Sequence, residues 1–449
     1  METLWTLHVE NFAGIERADI DVSPLTLFVG DNNSGKSYLL ALIYGLMRFN
    51  NALSDLCEDS AEYQACAEWI KAAFGEMRGN EQVEKPFDEH AYTIFENLWN
   101  RILQDNQKSI LESIFSASLS AGKISVKLSQ KLGRTLRIGS DANDDVMGVH
   151  FSDNGFPYRG YDFKKHSAED DIKYIISKIL EITITMYFTF DIFFIPTSRT
   201  GFLLTYPALA KDAFSRAYSR SQNRNSDLSL TLPFTDFLGN LTTINKKNLS
   251  ESRQSVVDFL ERNIIHGKIL VSNDLPLPEF YYLPENMKTS LPMYLSSDVV
   301  KEVAPLILML QYKDVEALFI EEPEMSLHLE LQQMMARTLI KVVNAGTPVL
   351  AATHSDTILQ HVNNMVKLNN LPEARRQTLI KRFKFDPDDP ISADKISMYQ
   401  FDVQDNGRTV VRKLSCGKYG FEIPTFYAPL EALLQQTQDT EPEAEEYED

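Results

Sequence analysis

The chain is poor in the residues that build disulfide scaffolds, zinc sites and nucleic-acid-binding surfaces. Its 449 residues include only three cysteines, Cys57, Cys66 and Cys416, and no CxxC pair. This sparse cysteine usage indicates a reducing compartment and argues against a disulfide framework or a zinc site. Lysine and arginine number 44 against 63 aspartates and glutamates, a formal net charge of −19. A chain this acidic is a poor general binder of nucleic acid, so such a contact needs a local basic patch or a partner.

The sequence also lacks a hydrophobic run long enough to cross a bilayer. Its most apolar stretch, residues 182–195, is interrupted by threonines and by Asp191 and is too short for a spanning helix. Residues 1–5 lead directly into a strand pattern and not into a signal peptide, so we expect a cytoplasmic protein without a membrane partner. Its 43% hydrophobic and 24% charged residues are ordinary for a globular protein, and its length allows two or three domains or one domain with large insertions.

One segment near the N-terminus has a pattern with specific chemistry. Residues 30–37 read GDNNSGKS and fit G-x-x-x-x-G-K-[ST], the phosphate-binding P-loop. The apolar run 25–29 precedes them and the apolar run 38–46 follows, which predicts a strand, a loop and a buried helix. At such a helix N-terminus backbone N–H groups converge, and the helix dipole favours an anion.

The P-loop predicts a site for ATP with Mg²⁺. Lys36 is expected to reach the β- and γ-phosphates, and the Ser37 hydroxyl is expected to ligate the metal. Glycines at both ends of the loop permit positive φ angles and close approach of the phosphates. The residues expected to bind the nucleotide are Gly30, Asn32, Asn33, Ser34, Gly35, Lys36 and Ser37.

Two further strand ends supply groups that hydrolysis needs. The apolar strand 317–320 ends in Glu321 and Glu322, and the apolar strand 348–352 is followed by His354. The first acid is expected near Mg²⁺, directly or through water, and the second is expected to polarise the attacking water. His354 is expected to contact the γ-phosphate or that water. The alternatives are a solvated turn for the two acids and a structural role for the histidine.

Hydrophobic periodicity and turn residues predict the remaining elements. Strands are predicted over 4–9, 18–22, 123–128, 135–138, 147–151 and 192–196, and helices over 52–77, 88–116, 169–187, 295–312, 329–344, 356–368, 372–384 and 426–437. Ser297 is a predicted N-cap, residues 397–414 predict an edge hairpin, and turns are predicted at 139–141 and 153–155. Arg199 follows a buried strand, so it either faces the phosphates or a neighbouring subunit, or it makes a structural cap or salt bridge.

The pattern divides the chain into six segments. Residues 1–50 form the N-terminal part of an ATPase core with the P-loop, and residues 291–437 form its C-terminal part. Between them lie a helical and β insertion over 51–185, a core strand with an arginine loop over 186–205, and a helical arm with mobile loops over 206–290. Residues 438–449 are an acidic tail that is expected to be disordered.

The succession of motifs resembles ABC-type AAA ATPases of the OLD/RecF/SMC-like group, in particular the AAA_15/AAA_21-type proteins common in bacterial defence systems. The matching segments, in the family's order, are VENF at 9–12, GDNNSGKS at 30–37, IPTSR at 195–199, LSSDVVKEVAPL at 295–306, FIEEPEMSLH at 319–328 and AATHSD at 351–356. The middle of the chain matches only as the variable insertion that such proteins carry. The resemblance implies an α/β fold with a P-loop ABC-type ATPase core, an antiparallel β subdomain and mainly helical insertions.

The resemblance also implies roles for individual residues. Lys36 and Ser37 are the Walker A lysine and serine, Glu321 takes the Walker B metal position, Glu322 is the catalytic glutamate and His354 is the switch histidine.

A further implication concerns the assembly. Ser296 and Ser297 lie in a signature-like segment that closes over the nucleotide of the opposite subunit, which implies a head-to-head homodimer or a larger homo-oligomer. Two features depart from the family pattern. The segment lacks the Gly-Gly of transporter ATPases and carries the acid Asp298, and no Q-loop glutamine is identifiable.

Three functional hypotheses follow. The first is a slow sensor or scaffold ATPase that controls a separate effector, a nuclease, in an anti-phage system of the PARIS or Septu kind. Only 95 residues follow His354, too few for the Toprim domain of OLD nucleases, and residues 386–389 (DPDD) favour a loop over a metal site. The second is a RecF-type DNA-repair ATPase, supported by the basic run 375–384 but opposed by the net charge. The third is a switch with negligible turnover, against which the intact Glu322 argues.

Overall fold

The structure, a computed structural model, describes residues 3–48, 56–74, 83–129, 134–140, 147–151, 167–187, 191–218, 230–245, 251–417, 420–422 and 424–440. These ranges form a mixed α/β fold, which confirms the predicted fold class. The predicted turn at 153–155, the polar stretch 219–227, residues 246–250 and the last nine residues of the tail lie outside the described ranges. No helix within those ranges has the length and apolarity that crossing a membrane requires.

The strands are β1 (Trp5–Phe12), β2 (Ile15–Val22), β3 (Leu25–Gly30), β4 (Val83–Pro86), β5 (Lys123–Leu128), β6 (Thr135–Ser140), β7 (Met147–Phe151), β8 (Ile192–Ile195), β9 (Gly267–Ser272), β10 (Glu279–Pro284), β11 (Leu291–Pro292), β12 (Ala317–Glu321), β13 (Val349–Ala352), β14 (Ile396–Val403), β15 (Thr409–Lys413), β16 (Cys416–Gly417) and β17 (Gly420–Phe421). The α-helices are α1 (Lys36–Arg48), α2 (Ala61–Phe74), α3 (Glu89–Asp105), α4 (Gln107–Phe115), α5 (Ala168–Tyr187), α6 (Arg199–Tyr218), α7 (Leu232–Thr242), α8 (Glu251–Leu260), α9 (Asp298–Tyr312), α10 (Leu329–Asn344), α11 (Asp356–Asn369), α12 (Glu373–Phe383) and α13 (Pro424–Thr440).

A nine-stranded sheet organises the fold, in the order β5-β1-β2-β15-β14-β3-β13-β12-β8. From β14 to β8 the strands are parallel, whereas β5, β1 and β2 pair antiparallel and form a wing of the same sheet. The parallel strands alternate their side chains between two hydrophobic cores. In β12, for example, Phe319 joins the core that contains α1, while Leu318 and Ile320 join the core that contains α9 and α10. Because both faces are covered, these strands read in the sequence as continuous apolar runs.

The hairpin at 397–414 forms, but the prediction that it lies at the edge is wrong. The strand β14 pairs with β3 and β15 pairs with β2, so the hairpin joins the parallel strands to the antiparallel wing inside the sheet. Gly407 takes a φ of 75° in its turn, as the expected Asn406-Gly407 turn requires. The burial pattern of β14 is consistent with this central position, since six of its eight residues are buried.

Two smaller predictions also need correction. The helix predicted over 88–116 breaks at Asn106, whose side-chain amide donates to the Ile102 carbonyl and so ends α3 before α4 begins. Gly139 and Ser140, expected in a turn, continue β6 and pair with β7.

Residues 206–290 contain more than the predicted helices. The strands β9 and β10 form a small antiparallel sheet with β11, and α7 and α8 pack against β8 and α9. The division of the chain into core and insertions stays a prediction.

Candidate active site

Four parallel strands end side by side at one edge of the sheet. Phe28 of β3 is in register with Ala352 of β13, which is in register with Glu321 of β12, and β8 continues the series. The segments that follow these strands therefore share one edge, as the carboxyl ends of parallel strands do. This brings together the P-loop, the two acids, His354 and the arginine loop.

The P-loop joins β3 to α1, as its sequence predicts. Gly30 and Gly35 have φ angles of 130° and 91°, and Asn33 has a φ of 59°. A Cβ at Gly30 would lie 2.3 Å from the carbonyl oxygen of Phe401 on β14. Gly30 is thus needed both for its backbone angle and because a neighbouring strand approaches it closely. Of the expected nucleotide ligands, Asn32, Asn33 and Ser37 are exposed, while Ser34 is buried.

The ammonium group of Lys36 is folded back onto the P-loop. Its Nζ donates to the carbonyls of Gly30 at 3.0 Å and Asp31 at 2.6 Å, and to the Ser34 hydroxyl at 3.2 Å. Burial lowers the pKa of Lys36 to about 8, although the carboxylates of Asp31, Glu322 and Glu324 oppose this shift. The loop therefore holds a partly desolvated cation whose present partners are neutral acceptors. A phosphate oxygen is a stronger partner for it than a carbonyl.

Glu321 is buried at the end of β12 and is held by Thr197. Its Oε2 accepts hydrogen bonds from the Thr197 backbone N–H and hydroxyl, both at 3.1 Å. Among the described residues, no hydrogen bond is made to its Oε1. Carboxylate and hydroxyl oxygens are the ligands that Mg²⁺ prefers, so Glu321 and the exposed Ser37 hydroxyl suit that metal chemically.

Glu322 has an unusual backbone conformation. Its φ of 42° lies in the left-handed region, which a non-glycine residue adopts at a cost. Its N–H donates to the Ala352 carbonyl at 2.8 Å, and its carbonyl accepts from the Met325 N–H at 3.0 Å. The guanidinium of Arg199 donates to the same carbonyl at 2.9 Å. Hydrogen bonds therefore hold both the N–H and the carbonyl of Glu322 in the turn after β12.

The sequence allowed either a role at the phosphates or a neighbouring subunit for Arg199, or a structural cap or salt bridge. The structure supports the salt bridge. The Arg199 side chain is 2% exposed and forms an ion pair with Glu302 of α9, with 2.8 Å between Nε and Oε2. Its remaining donors go to backbone carbonyls, including those of Pro196 and Glu321. Burial lowers the pKa of Arg199, and the charge of Glu302 opposes that shift. A side chain in this position does not face solvent or a phosphate.

Glu324 belongs to the site, although no role was predicted for it. Its carboxylate accepts a hydrogen bond from the Thr353 hydroxyl at 2.8 Å and another from the His354 backbone N–H at 2.6 Å. It thereby ties the turn after β12 to the segment after β13. Burial raises its pKa, and these two hydrogen bonds oppose the shift. The only indication of this role in the sequence was that Glu324 is a third acid, two residues after the pair Glu321-Glu322.

His354 is exposed and borders a cleft of about 220 Å³. The opposite wall of this cleft is the start of the P-loop, including Gly30, Asp31 and Asn32. The imidazole is thus beside the loop expected to hold the phosphates, and its backbone is fixed by Glu324. This placement agrees better with a role at the nucleotide than with a core histidine.

The structure does not bring Ser296 and Ser297 to the P-loop of their own chain. Ser296 is buried and its hydroxyl donates to the Met293 carbonyl. Ser297 is exposed and caps α9 by accepting from the Val300 N–H, as its sequence position predicts. Within the described part of the chain, neither serine is hydrogen-bonded to residues 30–37.

A second acidic cluster lies away from this edge. Asp386, Asp388 and Asp389 are close enough to one another to suggest a metal site. However, the Lys341 ammonium contacts all three carboxylates, at 3.1, 2.5 and 3.2 Å, and Arg337 pairs with two of them. Two protein cations thus offset most of the charge of the three carboxylates, which supports the interpretation of these residues as a structural loop.

The sequence profile of the AAA_15 family, described as an AAA ATPase domain, matches residues 3–288 and 311–359. Comparison with curated proteins found no match.

Among solved structures, the chain is similar to an SMC head bound to the C-winged helix domain of ScpA, with 12% identity, a TM-score of 0.38, and coverage of 91% of this chain and 97% of that one. It is also similar to an SMC head with an extended coiled coil bound to the C-terminal domain of ScpA derived from Pyrococcus furiosus, with 11% identity, a TM-score of 0.37, and coverage of 96% and 98%. The SMC head domain from Thermotoga maritima has 11% identity, a TM-score of 0.34, and coverage of 92% and 100%.

Proposed function

Because the chain belongs to the AAA_15 family of AAA ATPase domains, we propose that it is a cytoplasmic enzyme that binds Mg²⁺ and ATP and hydrolyses ATP slowly. The observation that carries this proposal is the cleft between the start of the P-loop and His354, at the sheet edge where the neighbouring strand β12 ends in Glu321. A phosphate-binding loop, a metal-binding acid and a candidate base at one sheet edge are the parts that phosphoryl transfer to water requires.

In this proposal, the P-loop binds the phosphates. Residues 30–37 surround them with backbone N–H groups at the N-terminus of α1. Lys36 exchanges the carbonyls of Gly30 and Asp31 for β- and γ-phosphate oxygens. Ser37 and Glu321 hold Mg²⁺, which neutralises charge on the phosphates when it is bound.

Glu322 acts as the general base and His354 assists it. Glu322 stands at the left-handed position directly after β12, and in this proposal its carboxylate accepts a proton from the attacking water. His354 contacts the γ-phosphate or the same water. Glu324 keeps His354 in place through the backbone N–H hydrogen bond.

The complete site includes a second copy of the chain. Ser296 and Ser297 make no hydrogen bond to their own P-loop in the described structure, while Ser297 and Asp298 are exposed at the N-terminus of α9. Such a helix end attracts phosphate oxygens through its N–H groups. We place these residues over the nucleotide of a partner subunit in a homodimer, or in a larger homo-oligomer.

The biological role that we propose is a sensor or scaffold that controls a separate effector, a nuclease, in bacterial anti-phage defence of the PARIS or Septu kind. Membership of the AAA_15 family and the acidic chain support this role, because a net charge of −19 favours a basic protein partner over nucleic acid. One observation favours a second candidate, a RecF-like ATPase that acts on DNA. The helix α12 and the residue after it expose four cations, Arg375, Lys381, Arg382 and Lys384.

A pull-down with tagged Glu322→Gln protein in ATP and Mg²⁺ tests these roles. Mass spectrometry and nucleic-acid staining identify what is retained, and the Lys36→Ala protein is the control for nucleotide dependence. The sensor role predicts a stoichiometric protein partner that depends on ATP. Nucleic acid without a protein partner would favour the second candidate. Retention of neither, in a strain that the protein does not protect from phage, would contradict the defence role.

A further inference from the structure

Arg199 makes an unusual set of contacts for a buried cation. Its Nε donates to the Glu302 carbonyl at 3.1 Å and lies 2.8 Å from the Glu302 carboxylate. Its Nη1 donates to the carbonyls of Pro196 at 3.2 Å and Glu321 at 2.8 Å, and its Nη2 donates to that of Glu322 at 2.9 Å. One side chain therefore joins the ends of β8 and β12 to the helix α9.

Burying the charged side chains of Arg199 and Glu302 costs free energy, so we ask which part of the backbone the pair holds in place. Among the described residues, Glu302 is the one carboxylate in ion-pair contact with the guanidinium, and replacing such a buried pair by apolar residues is often neutral or stabilising. The planar fork of arginine, in contrast to lysine, can hold several carbonyls at fixed angles at once. Because the carbonyl of Glu322 accepts from both Arg199 and the Met325 N–H, the peptide that follows the left-handed residue has no freedom to rotate.

The other end of the connection is the helix that Ser297 caps. Glu302 lies in the second turn of α9, and its Oε1 also accepts from the Thr200 hydroxyl at 2.6 Å. The Glu302 carboxylate thus contacts both Thr200 and Arg199. Because Glu302 belongs to α9, a shift of this helix changes the position of the Arg199 contact. The N-terminus of α9 is exposed, so a molecule that touches Ser297 or Asp298 pushes directly on this helix.

We infer that Arg199 is a positioning residue that sets the backbone of Glu322 and couples it, through Glu302, to contacts made at the N-terminus of α9. This inference rests on the proposed function, because it assigns the base to Glu322.

The test compares Arg199→Lys with Arg337→Lys, because both arginines are buried and form ion pairs, but only Arg199 touches the turn after β12. We expect Arg199→Lys to lower kcat on the order of 100-fold, as a small misplacement of a catalytic group does. Its affinity for ATP should change by less than about threefold, since no Arg199 contact goes to the P-loop. Arg337→Lys should keep kcat per folded molecule within about twofold, because its contacts lie away from the site.

A second pair of variants keeps the inference testable if Arg199→Lys folds poorly. Glu302→Gln keeps the shape of the side chain and removes only its charge, and we expect it to lower kcat without weakening ATP binding. In the Glu322→Gln background, Arg199→Lys should have no further effect on turnover, because both changes act on the same group.

The outcomes separate this inference from the function on which it rests. If Glu322→Gln hydrolyses ATP like wild type, the proposed function fails. If Glu322→Gln is inactive but Arg199→Lys and Glu302→Gln turn over at the wild-type rate, only the positioning role is overturned. A loss of ATP affinity or thermal stability alone, with kcat per folded molecule unchanged, would also overturn it.

Discussion

Two arginines in this chain, Arg199 and Arg337, are buried to a similar degree but have different partners. Arg199 is 2% exposed and donates mainly to backbone carbonyls at the sheet edge that contains Glu322. Arg337 is 5% exposed and pairs with the carboxylates of Asp386 and Asp389, while its guanidinium lies 4.8 Å from the Phe259 ring.

The difference shows that the partners of a buried cation, and not its burial, indicate its role. Arg337 and Lys341 pair with three aspartates and connect α10 to the loop before β14, so removal of Arg337 should affect stability. Arg199 donates mainly to backbone carbonyls, and these hydrogen bonds constrain a turn that carries a proposed base. Removal of the Arg199 side chain should therefore affect turnover. The following experiments separate stability from turnover.

The largest effect that we expect is on stability, from Arg337→Ala. This change leaves Asp389, which is fully buried, without one of its cation partners, and breaking a buried pair from one side costs about 3–5 kcal/mol. Thermal and denaturant unfolding measure the loss. ATP turnover per folded molecule serves as the control and should stay at the wild-type level. Unfolding at the wild-type temperature would contradict the comparison.

A smaller effect is expected from Glu324→Gln at the active site. The glutamine amide can accept only one of the two hydrogen bonds from Thr353 and His354, and one lost hydrogen bond is worth about 1 kcal/mol. We therefore expect turnover to fall about five- to tenfold, which steady-state phosphate release measures. Glu330→Gln, an exposed change at the start of α10, is the matched control. Equal rates for the two variants would remove Glu324 from the site.

The smallest effect concerns the pH dependence of ATP binding. Burial lowers the pKa of Lys36 to about 8, so the group loses its proton as the pH rises through that value. If only the charged form binds phosphate, ATP affinity should be constant below about pH 7 and fall about fourfold between pH 7 and 8.5.

Equilibrium binding of a non-hydrolysable ATP analogue to the wild-type protein measures this dependence, because the Glu322 carboxylate raises the pKa of Lys36 and must be kept. Lys36→Met is the control and should bind ATP weakly at every pH. A wild-type affinity that does not change up to pH 9 would show that Lys36 keeps its ordinary pKa.

The sequence was most informative where both the residue type and the local pattern were constrained. The strand before the P-loop, the helix α10 and the N-cap at Ser297 form at the predicted positions, because apolar runs and capping residues act locally. The position of the hairpin β14-β15 depends on which strands it meets after folding. Its own residues allow an edge as well as a centre, so the sequence could not place it.

The residues of the candidate site also fall into two groups, those that local patterns identify and those that depend on distant partners. Lys36, Glu321, Glu322 and His354 were recognisable because they stand at the ends of apolar strands within known motifs. Glu324 and the pair of Arg199 with Glu302 were not, because their partners are 30 and 103 residues away along the chain. A hydrogen bond to a backbone group that is distant along the chain leaves no local pattern, so only the structure could identify it.

The central claim is that Glu322 is the base of an ATPase site built at this sheet edge. The most direct measurement is single-turnover hydrolysis of bound ATP by Glu322→Gln beside wild type, with Glu330→Gln as the control for loss of an acid. We expect Glu322→Gln to keep its ATP affinity and to lose about 10²- to 10⁴-fold in the rate of hydrolysis, the usual contribution of a positioned base. Hydrolysis by Glu322→Gln at the wild-type rate would contradict the account.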